Sequence, residues 1–290
     1  MKKTALTIGK FDGLHLGHRL LLESISKEAE KRDLDAILIK IKMPGQSLFT
    51  EEEKSEFIGR EFPQIKEIRT MTFTPEFAKI SAEDFVKKVL VEEYGVSYLA
   101  VGRDFKFGRD RLGDTELLKR LGSDYGFEVN VFDKLEVGGG VVSSTVIKDK
   151  LSAGDISGAA ELLGHPYLIS GVVGDGKKLG RTLGYPTVNL KPEEAKYLPR
   201  YGVYSSDIII DGRTFSGITN IGVRPSVDDG ESPNAETFIY NFSDDIYGER
   251  VEVVPKRFIR PEIKFDSLSD LTKQIELDIL EAGGSSKFRD

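Results

Sequence analysis

The part of the chain that decides the fold is the stretch of residues 4–18, which reads TALTIGKFDGLHLGH. Its first part, Thr4–Ile8, is a short apolar run typical of a buried strand, and glycines follow it at once. An amphipathic pattern then extends over Gly17–Lys31 and predicts a helix. A strand, a glycine-containing turn and a helix in this order are typical of the start of an open α/β sheet.

The alternation of strand and helix continues outward from this stretch to about Gly164. It predicts a parallel sheet covered by helices on both faces, so we expect residues 1–164 to form one α/β domain. The further predicted strands are Ala36–Ile41, Ser97–Gly102 and Glu128–Phe132, and the further helices lie near Glu51–Gly59, Ala82–Tyr94 and Thr115–Gly126.

The residue pattern of the sequence changes after Gly164, where β-rich runs bounded by turn residues begin. An Asp211-Gly212 pair favours a tight hairpin, and apolar residues at helical spacing after Ser267 predict a final helix capped by that serine. We therefore expect residues 165–290 to form an antiparallel β-barrel domain with a terminal helix. The predicted strands are Tyr167–Gly174, Gly202–Ile210, Thr214–Ile221, Glu236–Phe242 and Arg250–Phe258.

Composition excludes several classes of protein. The chain has 290 residues, 41 Lys and Arg against 48 Asp and Glu, a net charge of -7 and no Cys. The acidic balance argues against a nucleic-acid binder that uses a basic face, and missing cysteines exclude disulfides and thiolate metal sites. No apolar run approaches the ~18 residues that cross a bilayer, and the start of the chain does not resemble a signal peptide. We expect a cytoplasmic protein without nucleic-acid or membrane partners, either a monomer or a weak oligomer.

The first candidate site lies in the opening stretch, where His15 and His18 stand at the start of the predicted helix. A helix N-terminus favours negative charge, and two imidazoles there can donate hydrogen bonds to a phosphate during group transfer. Gly13 and Gly17 would let the backbone approach such a ligand. The alternatives are that both histidines are ordinary turn residues or bind a metal, although no third soft ligand lies nearby.

The motif His15-Leu16-Gly17-His18 resembles the His-x-Gly-His element of nucleotidylyltransferases. The wider pattern, from Gly9 through Phe11 and Asp12 to His18, resembles the bacterial bifunctional riboflavin kinase/FAD synthetase family. The resemblance implies a Rossmann-like nucleotidylyltransferase domain in which His15 and His18 are catalytic. It also implies that Gly9, Phe11, Asp12 and Gly17 bind the nucleotide.

Two later stretches are similar to the same family. The stretch of residues 102–108, GRDFKFG, resembles its flavin-side loop and implies that Asp104, Phe105 and Phe107 contact flavin, with core packing as the alternative for the two phenylalanines. The stretch of residues 142–148, VSSTVIK, resembles an element at a helix start and implies nucleotide contacts from Ser143, Ser144, Thr145 and Lys148. Free amides and hydroxyls at a helix start hold phosphates.

The chain departs from the family in two places of this half. Lys148 stands where the family usually has Arg, so a bidentate contact to phosphate becomes a point charge. Residues Ile41–Gly45 replace the family's Phe-Asp-Pro-His-Pro, a loop that helps to line the adenylyltransferase site.

The second candidate site begins with the glycine-rich, basic stretch of residues 174–181, GDGKKLGR. It is not a P-loop, because the Gly-Lys-Ser/Thr ending and the following helix are absent. It continues into LGYPTVN at residues 183–189, which resembles the Pro-Thr-Ala-Asn motif of riboflavin kinases, and implies that Thr187 and Asn189 bind Mg²⁺ together with ATP. The loop residues implied to bind that nucleotide are Gly174, Gly176, Lys177, Gly180 and Arg181.

Phosphorylation of a hydroxyl needs a group that accepts its proton, and Glu236 occupies the family's position for that base. The family commonly has His where Phe238 stands, and the alternative for Glu236 is an outward-facing strand carboxylate. Two further stretches, residues 217–225 and 258–265, are similar to the kinase module. They imply flavin contacts from Arg224, Arg260 and Glu262, with loop anchoring as the alternative for the arginines.

The resemblance implies two successive reactions. The C-terminal domain would phosphorylate riboflavin to FMN with ATP and Mg²⁺, and the N-terminal domain would transfer AMP from a second ATP to FMN, giving FAD and pyrophosphate. One alternative is a nucleotidylyltransferase for another phosphate ester, although such enzymes lack the β domain. The other is a flavin- or nucleotide-binding sensor in which one or both active sites have decayed.

Overall fold

The computed structural model describes residues 3–72, 74–174, 187–226 and 230–284. The chain divides into two compact units. The N-terminal unit comprises Met1–Gly45 with Phe49–Ser144, and the C-terminal unit comprises Gln46–Leu48 with Thr145–Asp290.

The N-terminal unit is built on a five-stranded sheet in which every pair of neighbours is parallel, in the order β3-β2-β1-β4-β5. This confirms the parallel sheet. The sequence patterns missed β3, because four of its six residues are polar and none is buried, as is usual for an edge strand. The strands are β1 Thr4–Gly9, β2 Asp35–Lys42, β3 Glu67–Thr72, β4 Val96–Gly102 and β5 Glu128–Phe132, and a small hairpin follows from β6 Glu136–Val137 and β7 Gly140–Val141.

The helices of this unit connect the strands. Alternate residues of β1, β2 and β4, among them Leu6, Ile37 and Leu99, face one core, which also contains Phe85 and Leu118. The first helix packs against the same three strands. The helices are α1 Leu16–Arg32, α2 Glu51–Glu61, α3 Ala82–Asp84, which continues as a π-helix over Phe85–Glu93, and α4 Thr115–Tyr125; α5, Ser144–Ala153, starts at the unit's last residue.

The C-terminal unit contains a closed antiparallel barrel in the order β10-β11-β12-β9-β8-β13, as the sequence predicted. The prediction of a strand to Phe242 was wrong at its end, because Asn241 takes a left-handed φ of 53° and the strand stops at Ile239. The strands are β8 Ile169–Gly174, β9 Thr187–Leu190, β10 Gly202–Ile210, β11 Arg213–Ser226, β12 Gly230–Ile239 and β13 Arg250–Arg260, and the helices are α6 Ile156–Leu163 and α7 Leu268–Glu281.

Two local predictions in this unit are confirmed. Asp211 and Gly212, with φ of 48° and 74°, form the tight turn between β10 and β11. Ser267 caps α7, since its hydroxyl accepts a hydrogen bond from the Asp270 amide at 3.1 Å. Ile279 of α7 packs against barrel residues, so the helix covers part of the barrel and positions the cavity described below.

Candidate active sites

The turn between β1 and α1 holds an unusual backbone. Phe11, Gly13 and Leu14 have φ of 47°, 78° and 48°, a region that L side chains rarely adopt. Phe11 and Leu14 are completely buried, so packing of their side chains fixes the turn. Backbone of this kind persists only where the surroundings determine it, and it is frequent at ligand sites.

This turn brings the two histidines together. His15 is the N-cap of α1, and its Nδ1 accepts a hydrogen bond from the His18 amide at 3.4 Å. The two rings are stacked with centroids 3.6 Å apart and planes 17° apart, and the Phe11 ring lies 4.8 Å from that of His18. Both imidazoles are therefore fixed at the start of α1, where the helix favours negative charge.

The electrostatics keep His18 uncharged. Burial lowers its pKa well below 6.5, and the positive charges that His15 and Lys54 carry when protonated lower it further. Its Nδ1 is buried and has no hydrogen-bond partner within the part of the chain that the structure describes. Because His15 Nδ1 is an acceptor, we assign the proton of neutral His15 to Nε2.

The glycines of this stretch make room for aromatic rings. A Cβ on Gly17 would lie 3.2 Å from the His15 ring, and one on Gly9 would lie 3.2 Å from the Phe11 ring. Gly13 is required for its positive φ. The structure thus gives Gly9 and Gly17 a packing role beside the histidines, in addition to the nucleotide contact that their motif implies.

Of the predicted nucleotide-binding residues near the start of α5, Ser143 and Ser144 belong to the N-terminal unit, and Thr145 and Lys148 belong to the C-terminal unit. Ser144 donates a hydrogen bond to the Asp12 carbonyl at 2.9 Å, which ties the start of α5 to the histidine turn. Thr145 is exposed on the first turn of α5. In the C-terminal unit, the Lys148 ammonium donates to the Gln46 carbonyl at 2.7 Å and lies 5.3 Å from the centre of the Tyr197 ring. Ser143, beside Ser144, is half-buried.

The aromatic pair of the predicted flavin loop is partly structural. Phe107 is buried in the sheet core, with its ring 5.5 Å from that of Phe85. Phe105 is half-buried and stacks on Phe107 at 5.6 Å. In this structure Phe107 is therefore a core residue, as the alternative interpretation expected, whereas part of the Phe105 side chain remains exposed outside the core. Asp104 pairs with Lys134 at 3.3 Å on the surface.

The candidate kinase site lies on neighbouring strands of the barrel. Glu236 of β12 pairs with Asn189 of β9, and Thr187 stands two residues before Asn189, so all three side chains share one face. Thr187 Oγ1 donates a hydrogen bond to Glu236 Oε1 at 2.7 Å. Asn189 is buried, and its Oδ1 has no hydrogen-bond partner among the described residues.

Two cavities of the C-terminal unit meet at Thr187. One, of about 200 Å³, is lined by Glu236, Phe238 and residues of β10, β11 and α7. The other, of about 390 Å³, is lined by Thr187, Val188 and the residues that follow β12. Thr187 and the carboxylate it contacts therefore stand where a ligand of one cavity could react with a ligand of the other.

The first cavity also contains a partly buried ion pair between the predicted residue Arg260 and Asp278, which the sequence patterns did not mark. The Arg260 guanidinium makes a bidentate contact to Asp278 of α7, with donor–acceptor distances of 2.8 and 2.7 Å, and only 2% of the Asp278 side chain is exposed. Asp278 could have been found, because it is a carboxylate within the apolar stripe of the final helix. Glu262 also lines this cavity and accepts a hydrogen bond from Asn220 at 3.1 Å.

The remaining predicted residues are placed as follows. Gly174 ends β8 and pairs with Asn189. Arg224 belongs to β11, where it pairs with Ser232. The predicted nucleotide-binding residues Gly176, Lys177, Gly180 and Arg181 lie outside the described residues.

The comparisons with known proteins match both units. The family model for FAD synthetase matches residues 1–146, and that for riboflavin kinase matches residues 163–285. A chain from Escherichia coli (strain K12), named bifunctional riboflavin kinase/FMN adenylyltransferase, is 35% identical over 286 residues, covering 96% of this chain and 91% of the relative. The relative of the same name from Haemophilus influenzae is 35% identical over 292 residues, with 95% and 92% covered.

A crystal structure described as that of a macrolide-efflux protein from Streptococcus pneumoniae superposes with a TM-score of 0.85 at 29% identity, covering 99% of this chain and 96% of that one. Across the described ranges of this chain, no helix is both long enough and apolar enough to cross a membrane. The folds, the sites and the matches define a two-domain transferase. The chain belongs to the family of bifunctional riboflavin kinases/FMN adenylyltransferases.

Proposed function

We propose that this chain makes both flavin cofactors in succession. The C-terminal unit phosphorylates riboflavin to FMN with ATP, and the N-terminal unit transfers AMP from a second ATP to FMN, giving FAD and pyrophosphate. The two family models, one for each half of the chain, support this assignment. The observation that carries it is the shared face of β9 and β12, where Thr187, Asn189 and Glu236 adjoin two cavities.

In the kinase reaction, Glu236 is the base. Its carboxylate takes the proton of the ribityl hydroxyl while the hydroxyl oxygen forms a bond to the γ-phosphorus of ATP and the bond to ADP breaks. The hydrogen bond from Thr187 fixes the orientation of that carboxylate. In this assignment riboflavin occupies the cavity lined by Glu236, and ATP occupies the cavity on the other side of Thr187.

The residues around Glu236 fit a magnesium ion. Asn189 Oδ1 is a buried oxygen without a partner in the described part of the chain, and the Thr187 hydroxyl and a carboxylate lie on the same face. Mg²⁺ binds oxygen ligands of this kind together with phosphate oxygens. Thr187 and Asn189 would hold the ion, which when bound neutralises charge on the transferred phosphate.

In the adenylyl transfer, the N-terminal unit needs no strong base, because the phosphate of FMN is itself a nucleophile. One of its oxygens forms a bond to the α-phosphorus of ATP while the bond to pyrophosphate breaks. His15 and His18 stabilise the negative charge that develops there, aided by the start of α1. A neutral His18 donates through a ring N–H, as its lowered pKa allows.

We also infer that the enzyme works in the cytoplasm, as a monomer or weak oligomer, without nucleic-acid or membrane partners. The absence of cysteine and the net charge of -7 support this inference.

A chromatographic product assay with riboflavin, excess ATP and Mg²⁺ tests the proposed function. The wild-type chain should produce FMN and then FAD, and the combined His15→Ala and His18→Ala variant should stop at FMN. Tight flavin binding without either product would overturn the proposal in favour of a flavin-binding sensor. If the wild-type chain produced FMN but no FAD, only the proposed adenylyl transfer would be refuted.

A further inference from the structure

A buried charge cluster lies beside the histidine turn and has no part in the mechanism so far. Lys40 of β2 and Lys54 of α2 have only 3% and 6% of their side chains exposed. Glu51, in the first turn of α2, joins them: its carboxylate oxygens lie 3.0 Å from Lys40 Nζ and 2.8 Å from Lys54 Nζ. We call these three residues the lysine cluster.

The lysine cluster is not neutral. Its two ammonium groups share a single carboxylate, since Glu51 is the one acidic residue paired with either lysine in the described ranges. Lys40 also donates a hydrogen bond to the Ser55 hydroxyl at 3.3 Å, which adds no charge. A buried cation is costly unless an anion compensates it, so the net positive charge here favours a further negative ligand.

The cluster stands at the same sheet edge as the histidines. Lys40 pairs with Gly9, the last residue of β1, and the turn with His15 and His18 follows Gly9 directly. The positive charge of Lys54 interacts with that turn, because repulsion from Lys54 is one of the causes of the lowered pKa of His18. In parallel α/β sheets, ligands bind outside the carboxyl ends of the strands, which is where Lys40 lies.

Glu51 differs from the lysines in its exposure to solvent. Its side chain is 36% exposed, whereas both lysines are buried. Burial raises the pKa of Glu51, but the hydrogen bonds from Lys54 and Lys40 outweigh it and lower the pKa overall. Glu51 is thus an ionised carboxylate whose Oε2 is buried against Lys40 while the rest of its side chain is partly exposed, and another anion can take its place on the two lysines.

We propose that Lys40 and Lys54 bind the β- and γ-phosphates of ATP in the N-terminal unit, and that these phosphates displace the Glu51 carboxylate. The inference rests on the adenylyl transfer proposed above and assigns residues to its leaving group. As the bond between the α-phosphorus and pyrophosphate breaks, negative charge moves onto pyrophosphate, and two cations there stabilise that charge. The Glu51 carboxylate then returns to the lysines when pyrophosphate leaves.

The experiment uses the full chain and inorganic pyrophosphate as the ligand in calorimetric titrations, followed by steady-state adenylylation of FMN. Lys54→Met should weaken pyrophosphate binding about tenfold, in keeping with the loss of one charge-assisted contact. It should also raise the KM for ATP about tenfold without changing the KM for FMN. Lys54→Arg should restore most of the pyrophosphate affinity and bring the KM for ATP most of the way back to the wild-type value. Glu51→Gln should act in the opposite direction and tighten pyrophosphate binding, because it removes the competing anion.

Lys66→Met is the matched control, since Lys66 is an exposed lysine of the same unit that pairs with Asp35. It should leave pyrophosphate binding and both KM values unchanged. The proposal would be overturned if Lys54→Met kept the wild-type affinity for pyrophosphate and the wild-type KM for ATP. It would also be overturned if Glu51→Gln bound pyrophosphate more weakly than the wild-type chain. If the lysine variant fails to fold, Glu51→Gln decides the question alone. A wild-type chain that binds pyrophosphate but makes no FAD would refute the proposed adenylyl transfer and leave the anion site standing.

Discussion

Thr187 and Glu236 are joined by a hydrogen bond of 2.7 Å between a hydroxyl and a carboxylate on neighbouring strands of the barrel. They are diagonal neighbours, because Glu236 stands opposite Asn189 and Thr187 lies two residues before it. This register, and not proximity in sequence, brings the three residues to one face. A shift of one residue between β9 and β12 would send Thr187 and Asn189 to the other face from Glu236.

The first prediction concerns Glu236 as the kinase base. Glu236→Gln keeps the shape of the side chain and its hydrogen bond to Thr187 but removes the proton acceptor. Formation of FMN from riboflavin should fall by about 10²–10⁴-fold, the usual contribution of a general base. Conversion of supplied FMN to FAD should be unchanged. Chromatography of the products from each substrate measures both reactions in the same preparation.

Asp207→Asn is the control for this prediction, since Asp207 is a barrel carboxylate that pairs with Lys256 away from either cavity. It should leave both rates at wild-type values. A Glu236→Gln variant that still phosphorylates riboflavin at the wild-type rate would show that another group accepts the proton.

The sequence predicted most of the fold because its hydrophobic periodicity was strong. The β1 strand is a short apolar run, buried at five successive residues, the final helix follows a period of 3.6, and Asp211-Gly212 permits only a few turn geometries. The pattern missed β3, whose pairing with β2 is a tertiary effect that its mostly polar residues do not signal. It also ended β12 too late, where the backbone at Asn241 overrides β-propensity.

The candidate sites were predicted less completely than the fold. The motif of residues 15–18 marked the histidines, because the chain contains only three, whereas Glu236 was marked only by the resemblance to the kinase family, since the chain has 48 acidic residues. Lys40 and Lys54 gave no signal, since an amphipathic helix and a strand end commonly carry lysine and only the structure shows that both are buried. The pairing of Arg260 with Asp278 joins residues 18 apart in sequence, and no local pattern connects them.

The second prediction concerns the protonation of His18. Its lowered pKa means that the folded chain binds fewer protons than the unfolded chain as the pH falls below 6.5. The free energy of unfolding should therefore decrease with falling pH through that window and level off above it. Lys54→Met removes one cause of the lowered pKa and should move it back towards 6.5.

Proton NMR can follow this titration directly, because the chain contains only three histidines. The His18 signal, assigned by its loss in His18→Gln, should remain that of a neutral imidazole at pH 6. A His18 midpoint at or above 6.5 in the wild-type chain would contradict the burial and charge effects described here.

The third prediction concerns the ion pair of Arg260 and Asp278. Asp278→Asn leaves the guanidinium without its charge partner beside a cavity, so the free energy of unfolding should fall by about 3 kcal/mol. The KM for riboflavin should rise, because both residues line the cavity assigned to it. Denaturant unfolding and kinase kinetics measure the two effects.

Arg260→Gln combined with Asp278→Asn completes a double-mutant cycle. The double variant should lose less stability than the two single variants summed, by about 0.5–3 kcal/mol, as expected for residues in contact. Strictly additive losses would mean that the contact contributes nothing and that each residue acts through separate neighbours.

The last prediction concerns Gly17, whose role follows from the room it leaves for the His15 ring. A Cβ at this position would lie 3.2 Å from that ring, close enough to push it from its stack on His18. Gly17→Ala should therefore reduce adenylylation of FMN about tenfold or more, although alanine is the better residue for a helix. Gly59→Ala in α2 is the matched control, since a Cβ there meets nothing within 4 Å, and it should leave the activity unchanged. Thermal unfolding separates the two effects: Gly17→Ala should retain the wild-type midpoint while it loses activity. If both variants kept full activity, the His15 position would not depend on Gly17, and the stacked arrangement would not be required for catalysis.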